Sequence, residues 1–196
     1  PYQKMIRVVN SFIEKVSVNF EYVDFGGGMG IDYTSNKKTF DFKKLALEIN
    51  KFSKRNECKI ILEPGRSIIG DTAVLISKVI YIKENLNKDF IILDAGMNDL
   101  IRPALYNAKH MIIPANKSTR KSKKEYDFVG PICETSDRFL KMKKFQKLNE
   151  GDIVILKDVG AYGYVLSSNY NVRPMPKEVL VDKSKTQIIS KRQSIK

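Results

Sequence analysis

The residues most able to do chemistry follow an apolar run, KIIL, at positions 59–62. Glu63 comes next, then a Pro-Gly turn and Arg66. Three consecutive aliphatic residues predict a strand that is buried on both faces of a parallel sheet. A carboxylate and a guanidinium at the end of such a strand indicate an active site, because charges are costly to bury unless something there uses them. The alternative is a turn that carries a surface ion pair between Glu63 and Arg66.

A glycine-rich loop, GGGMG at positions 26–30, follows another predicted strand. Glycine lets backbone N–H groups approach an anion closely, so this loop predicts a phosphate-binding site. It matches neither a dinucleotide fingerprint, since Ile31 occupies the sixth position, nor a P-loop, since no Gly-Lys follows. The alternative is a tight turn with a purely structural role.

Three further segments carry candidate binding residues. Arg102 and Tyr106 could receive a carboxylate, because a guanidinium offers a planar, bidentate fork. Cys133 and Glu134 place a thiol beside a carboxylate after a Gly-Pro turn, and Tyr162 lies among small residues that could aim its phenol at a ligand. The alternatives are a surface loop for the first pair, a buried apolar cysteine for the second, and a β-turn for Tyr162.

The periodicity of apolar residues divides the chain near residue 69. Helix, strand, loop, helix and strand alternate over the first 66 residues, which is the pattern of a parallel α/β layer. The predicted helices cover residues 2–15 and 41–55, the second capped by Asp41, and the strands cover 19–25 and 59–62. Residues 70–196 are expected to be mostly β, with strands at 73–82, 89–94, 129–132, 152–156 and 178–181. Short helices are predicted at 104–108 and 137–140.

Composition excludes several classes of protein. The 42% hydrophobic content suits a folded chain, and no apolar run approaches the roughly 20 residues of a membrane span. Cys58 and Cys133 make neither a disulfide framework nor a zinc site, so a cytoplasmic setting is expected. The net charge of +13 is spread over the chain without a nucleic-acid-binding motif, which makes specific nucleic-acid binding an unfavoured alternative. His110, the single histidine, fits no catalytic arrangement and is expected in a surface or core role.

Taken in order, these segments resemble the fold-type III pyridoxal-phosphate decarboxylases, and among them the members that convert meso-2,6-diaminopimelate to L-lysine and carbon dioxide, the last step of lysine biosynthesis. Six blocks carry the resemblance: DFGGGMGI at 24–31, LEPGRSIIG at 62–70, LDAGMNDLIRPALY at 93–106, VGPICETSD at 129–137, DVGAYGY at 158–164 and SNYNVRPMPKEVLVD at 168–182. The resemblance implies the last strands of a (β/α)8 TIM-type barrel over residues 1–69, and a C-terminal β-sandwich or β-barrel-like domain over residues 70–196.

The resemblance also implies which residues bind pyridoxal 5'-phosphate, which bind the substrate and which is catalytic, and it implies no metal. The cofactor-binding residues would be Gly26, Gly27, Gly28, Glu63, Pro64, Gly65, Arg66 and Tyr162, with Glu63 facing the pyridine nitrogen. The substrate-binding residues would be Arg66, Arg102, Tyr106, Glu134 and Tyr162. Cys133 would be catalytic, as the proton donor to the carbanion that is left when carbon dioxide departs. Cys133 and Glu134 would complete the site of the other subunit, which implies a homodimer.

Two features refine this expectation. Ornithine decarboxylase-like members carry Cys-Asp-Gly where this chain has Cys133-Glu134-Thr135, which favours diaminopimelate over ornithine, lysine or arginine as the substrate. The lysine that holds the cofactor covalently lies upstream in the family, in a YAxKAN-like motif, and nothing before Phe20 matches it. We therefore expect the chain to be a C-terminal portion that is inactive by itself. The remaining alternative is a non-catalytic family member that acts as a binding partner.

Overall fold

The computed structural model describes residues 2–34 and 40–194 of the 196-residue chain. These residues form two compact units. The first holds residues 2–32 and 40–68, and the second holds residues 33–34 and 69–194. Within the described part, no helix is both long enough and apolar enough to cross a membrane.

The first unit packs two helices on a pair of parallel strands. Its elements are α1 (Tyr2–Val16), β1 (Tyr22–Asp24), α2 (Phe42–Asn56), β2 (Lys59–Ile61) and the short α3 (Gly65–Ile69), which ends at the boundary with the second unit. The predicted cap of α2 is confirmed, since the Asp41 side chain accepts a hydrogen bond from the Lys44 N–H at 2.9 Å. The predicted α/β pattern is therefore confirmed for this unit.

The core of the first unit joins the apolar faces of α1 and α2 to the strands. Its buried side chains are Ile6, Phe25, Met29, Leu45, Ile49, Phe52 and Cys58. One expectation is wrong: β2 is not buried on both faces, because Ile61 remains 44% exposed. The cause is that β2 pairs with β1 alone among the described strands, which leaves its other edge without a neighbour.

The second unit is built on a six-stranded mixed sheet in the order β5-β8-β3-β4-β6-β7. Its elements are β3 (Leu75–Lys83), β4 (Lys88–Leu93), α4 (Arg102–Tyr106), β5 (Ile112–Pro114), β6 (Glu125–Val129), β7 (Arg138–Met142) and β8 (Ile153–Leu156). A separate antiparallel hairpin joins β9 (Glu178–Asp182) to β10 (Lys185–Ser190). The expected mostly-β character is confirmed.

Fully buried aliphatic and aromatic side chains from five of the six strands form the core of this sheet: Val79, Ile91, Leu93, Ile112, Phe128, Val154 and Leu156. Two predicted elements are wrong. The helix expected at residues 137–140 is the strand β7, and the strand expected at 129–132 ends at Val129. Pro131 has no N–H to donate, and the Ile132 N–H binds a side chain, so neither can continue the sheet.

Candidate functional site

In the first unit, the glycine loop begins where β1 ends and runs beside the end of β2. Backbone hydrogen bonds continue past both strands: the Phe25 N–H donates to the Ile61 carbonyl at 3.1 Å, and the Glu63 N–H donates to the Gly26 carbonyl at 2.9 Å. The two segments predicted to bind one ligand, the glycine loop and the Glu63 turn, are therefore neighbours.

The conformation of the loop requires glycine at three successive positions. Gly26 and Gly28 have φ values of +62° and +88°, in the left-handed region that side chains rarely adopt. A Cβ on Gly27 would lie 2.3 Å from the Glu63 carbonyl oxygen. The glycines thus serve the close approach of two strand ends, in addition to any anion.

The same loop presents unused backbone donors. The Gly26 N–H donates to Asp24 Oδ1 at 2.7 Å, and the Gly27 carbonyl accepts from the Tyr2 hydroxyl. Among the described residues, no acceptor is recorded for the N–H groups of Gly27 and Gly28. Adjacent free N–H groups on a glycine loop suit an anion such as a phosphate.

Replacing Gly27 with alanine should abolish anion binding by the loop, because the added Cβ would overlap the Glu63 carbonyl and push the two strand ends apart. Gly30 supplies the matched control, since a Cβ there meets no atom within 4 Å. Equilibrium dialysis with pyridoxal phosphate, the ligand that the resemblance implies, measures the effect. Equal binding by the Gly27→Ala and Gly30→Ala variants would contradict the prediction.

Glu63 and Arg66 do not form the surface ion pair that was the alternative explanation of this turn. Among the ion pairs of the described residues, neither side chain takes part. The Gly65 N–H donates to the Glu63 carbonyl at 2.9 Å, and the Ser67 hydroxyl donates to the Pro64 carbonyl at 2.9 Å, which together form the start of α3. The turn therefore leaves the Glu63 carboxylate exposed and without a cationic partner among these residues.

In the second unit, Arg102 is a buried cation with no carboxylate partner among the described residues. Arg102 is the first residue of α4 and is 5% exposed, and it takes part in no ion pair of the described residues. Its Nη1 donates to the Tyr33 hydroxyl at 2.9 Å and to His110 Nε2 at 3.1 Å, whereas its buried Nε has no partner. The guanidinium carbon lies 4.9 Å from the Tyr33 ring centre and 5.9 Å from that of Tyr162. An unneutralised, partly unpartnered guanidinium is suited to an anionic ligand.

His110 is in the core, as one of the two predicted alternatives had it, and it contacts Arg102. Its Nδ1 lies 2.9 Å from the Lys157 carbonyl oxygen. A carbonyl can only accept, so Nδ1 carries the proton, and the Nε2 lone pair accepts from Arg102. Burial lowers the pKa of His110 below its usual value, and the positive charge of Arg102 acts in the same direction.

Acidification should weaken folding through His110. The unfolded chain binds a proton near the ordinary pKa of 6.5, whereas the folded chain resists it. The contribution of neutral His110 to the free energy of unfolding is therefore complete above pH 6.5, and it is lost as the pH falls toward the pKa of the folded state. As the pH falls below about 6.5, the free energy of unfolding in urea should decrease more in the wild type than in the His110→Gln variant. If the free energy of unfolding changed with pH in the same way in both proteins, the prediction would be contradicted.

The loop that carries Cys133 and Glu134 is held by a buried carboxylate, Asp137. Its oxygens accept from the Ile132 N–H at 2.8 Å and from the Met97 N–H at 2.7 Å. Burial raises the pKa of Asp137 above its usual value, and the two amide hydrogen bonds oppose this shift. Cys133 and Glu134 themselves are exposed. Asp137 therefore fixes the backbone of the loop and leaves the thiol and the carboxylate facing outward.

A second polar junction joins the segment at 94–101 to the later one at 168–173. Asn98 is 1% exposed, its carbonyl accepts from the Ser168 N–H at 2.9 Å, and its Oδ1 accepts from Arg173 Nε at 3.2 Å. Arg173 also donates through Nη2 to the Asp94 carbonyl. These bonds join two of the six sequence blocks, 93–106 and 168–182, within the second unit.

The predicted site residues thus fall into two groups: the glycine loop and the Glu63 turn lie in the first unit, and the remaining predicted residues lie in the second unit. Arg102 lies near Tyr162, which is 47% exposed and has a φ of +60°, while Tyr106 at the end of α4 is 64% exposed. Sequence reasoning missed the contacts of Tyr33 and His110 with Arg102. Asp137 was also missed, although an aspartate shortly after a Gly-Pro turn is a recognisable signal for a side chain that binds loop amides.

Among the described residues, no group of three histidine, cysteine, aspartate or glutamate side chains could hold a metal ion. The arrangement instead offers backbone donors and an exposed carboxylate in the first unit. The second unit offers a buried guanidinium, aromatic rings and an exposed thiol.

Comparisons with known proteins give a consistent result. Residues 10–160 match the model of a family described as "Pyridoxal-dependent decarboxylase, C-terminal sheet domain". The chain is 42% identical, over 99% of its length, to 47% of the diaminopimelate decarboxylase of Aquifex aeolicus. A solved structure of the Helicobacter pylori enzyme complexed with L-lysine superposes with a TM-score of 0.83 at 38% identity, covering 98% of this chain and 47% of that one. The M. jannaschii enzyme in complex with L-lysine gives 0.88 at 35% identity, covering 96% and 45%.

These similarities have a defined extent. The chain spans about half the length of the relatives that it matches. The matched part corresponds to their C-terminal portion.

Proposed function

Because the chain belongs to the pyridoxal-dependent decarboxylase family, we propose that it is the C-terminal portion of an enzyme that decarboxylates meso-2,6-diaminopimelate to L-lysine. Residues 1–69 would complete a pyridoxal-phosphate-binding barrel of the TIM type. Residues 70–196 would form the β domain that carries substrate-binding and proton-donating residues. The free thiols of Cys58 and Cys133 are compatible with a reducing, cytoplasmic setting.

The observation that carries this proposal is the buried Arg102. A guanidinium that is 5% exposed and paired with no described carboxylate carries an unneutralised charge. Diaminopimelate has a carboxylate at the end remote from the reacting carbon. Lysine and ornithine, as substrates of decarboxylation, carry their single carboxylate on the reacting carbon and have none at the remote end. A fixed, bidentate donor inside the protein would therefore select diaminopimelate.

The residues of the first unit fit the cofactor. The unpartnered N–H groups of Gly27 and Gly28 suit its phosphate, and the turn from Pro64 to Arg66 follows directly after Glu63, whose N–H donates to the Gly26 carbonyl of the same loop. The exposed Glu63 carboxylate would pair with the pyridine nitrogen and keep it protonated. When bound, pyridoxal phosphate supplies an electron sink for the charge that remains on the carbon as carbon dioxide leaves.

The other residues would bind the substrate and move one proton. Arg102, with Arg66 and Tyr106, would hold the distal carboxylate, and Glu134 would accept hydrogen bonds from the distal ammonium. Cys133 Sγ would then deliver its proton to the carbon that has lost its carboxylate. Tyr162 would contact both cofactor and substrate and exclude water from them.

Carbon dioxide release decides between this proposal and its alternatives. The complete protein, with the N-terminal half that the proposal requires, should release carbon dioxide from meso-diaminopimelate and form L-lysine. The present chain alone should release none, because it spans only about half the length of the relatives that it matches. Faster turnover of ornithine, lysine or arginine would overturn the substrate assignment. Pyridoxal phosphate binding without turnover of any of them would favour a non-catalytic role.

We further propose that the enzyme is a homodimer in which Cys133 and Glu134 complete the site of the other subunit. The exposure of both side chains on a fixed loop supports this arrangement. The distal ammonium and the reacting carbon of one subunit's substrate would then lie against the partner's loop.

Mixing two inactive variants should restore activity if the sites are shared. A Glu63→Ala subunit and a Cys133→Ala subunit would form a heterodimer with one intact site of two. Random exchange should therefore recover about a quarter of the wild-type rate. Each variant incubated alone under the same conditions is the control. No recovery, with heterodimers confirmed by mass spectrometry, would show that each site lies within one subunit.

A further inference from the structure

We propose that His110 is a positioning residue for Arg102, holding one guanidinium nitrogen so that the opposite edge of the fork faces the substrate carboxylate. The substrate part of this inference rests on the proposed function. The geometry around His110 stands independently of it.

The contacts of Arg102 are confined to one nitrogen. Nη1 donates one bond to the Tyr33 hydroxyl at 2.9 Å and one to His110 Nε2 at 3.1 Å, which uses both of its hydrogens. Nε is buried with no partner, and no described residue is recorded as an acceptor for Nη2. The edge formed by Nε and Nη2 is therefore the part of the fork available for two parallel bonds to a carboxylate.

The orientation of the His110 ring is set from its other side. The Lys157 carbonyl accepts from Nδ1 at 2.9 Å, and the Tyr33 ring packs edge-on at 5.1 Å between ring centres. His110 is 1% exposed, so bulk water does not compete for these bonds. A ring fixed at Nδ1 presents its Nε2 lone pair in one direction, toward Arg102.

Neutral acceptors suit this task better than a carboxylate would. An aspartate beside Arg102 would neutralise the guanidinium and compete with the substrate for it. A tyrosine hydroxyl and a neutral imidazole fix its orientation and leave its charge unmatched. The charged groups that act on His110 are Arg102 and Asp158. The partly buried Tyr33 ring packs against both the His110 ring and the Arg102 guanidinium.

Two substitutions of His110 separate positioning from simple packing. Glutamine can place a side-chain oxygen near the position of Nε2, whereas phenylalanine fills the space without an acceptor. In the complete protein, His110→Phe should raise the KM for meso-diaminopimelate about tenfold and leave kcat within about twofold. His110→Gln should restore most of the loss. Tyr33→Phe removes the other acceptor of Nη1 and should also raise KM.

Calorimetric titration with cadaverine provides a control for site integrity, because cadaverine has both amino groups of the substrate but no carboxylate. Its affinity should be nearly unchanged in all three variants. A purely structural role would instead lower cadaverine affinity and kcat in parallel, and glutamine would fail to rescue them. That pattern, or an unchanged KM in His110→Phe, would overturn the proposal.

The state of the ring can be tested without turnover. Nitrogen-15 NMR of the complete protein, with the His110 signals assigned by their loss in His110→Gln, should show the neutral tautomer protonated at Nδ1. That state should persist to a lower pH than in an exposed histidine. A ring protonated at Nε2 would overturn the positioning role even in an active enzyme. The expected tautomer in a protein that releases no carbon dioxide would instead place the failure in the proposed function.

Discussion

Replacing Cys133 with alanine should lower kcat by on the order of 10²- to 10⁴-fold, the usual range for loss of a positioned proton donor. The reason is that no proton would reach the reacting carbon from Sγ. Cys133 is exposed on a loop whose backbone is held by Asp137, so its removal should disturb little else. Pyridoxal phosphate affinity and lysine affinity should remain within about twofold of the wild type. Single-turnover carbon dioxide release and calorimetry measure the two sides of this prediction.

The other cysteine supplies the matched control. Cys58 is buried in the core of the first unit, and burial raises the pKa of its thiol, so it is neither accessible nor inclined to ionise. Cys58→Ala should reduce stability modestly and leave kcat unchanged. If Cys133→Ala weakened cofactor binding as much as turnover, the thiol would be a binding group and not the proton donor.

Arg102→Lys should reduce kcat/KM for meso-diaminopimelate by roughly 10²- to 10³-fold, since two charge-assisted hydrogen bonds to the distal carboxylate are lost. Lysine keeps the positive charge but cannot form the planar fork, and its shorter head group would leave Tyr33 and His110 without their donor. Most of the loss should appear in KM. Steady-state kinetics with diaminopimelate would show it, and calorimetry with cadaverine, which has no carboxylate, is the control.

Arg120→Lys is the matched control for this change, because Arg120 is exposed in the same unit and its side chain has no recorded partner among the described residues. It should leave both kinetic constants unchanged. The thermal unfolding of Arg102→Lys should be measured as well. A buried lysine ammonium that does not reach the Tyr33 and His110 acceptors would lower the stability of the protein. A folded Arg102→Lys enzyme with the wild-type KM would remove Arg102 from the carboxylate site.

Local chemistry determined much of the fold. The apolar spacing of α1 and α2, and the capping oxygen of Asp41, depend on residues within a few positions of one another, and the structure matches them closely. The elements that sequence reasoning placed wrongly depend on distant partners. Residues 138–142 form a strand because they pair with β6, and β2 is exposed on one side because its second edge has no neighbour among the described strands.

The candidate site divides in the same way. The sequence by itself determined the residue types and their order: the glycine loop, Glu63 after its strand, Arg102, and the Cys133-Glu134 pair, which together indicate the family. Only the tertiary structure decided how Arg102 is held, since Tyr33 and His110 reach it from 69 and 8 residues away. The physical reason is that a buried guanidinium must find its acceptors wherever folding brings them, and no local pattern in the chain records that choice.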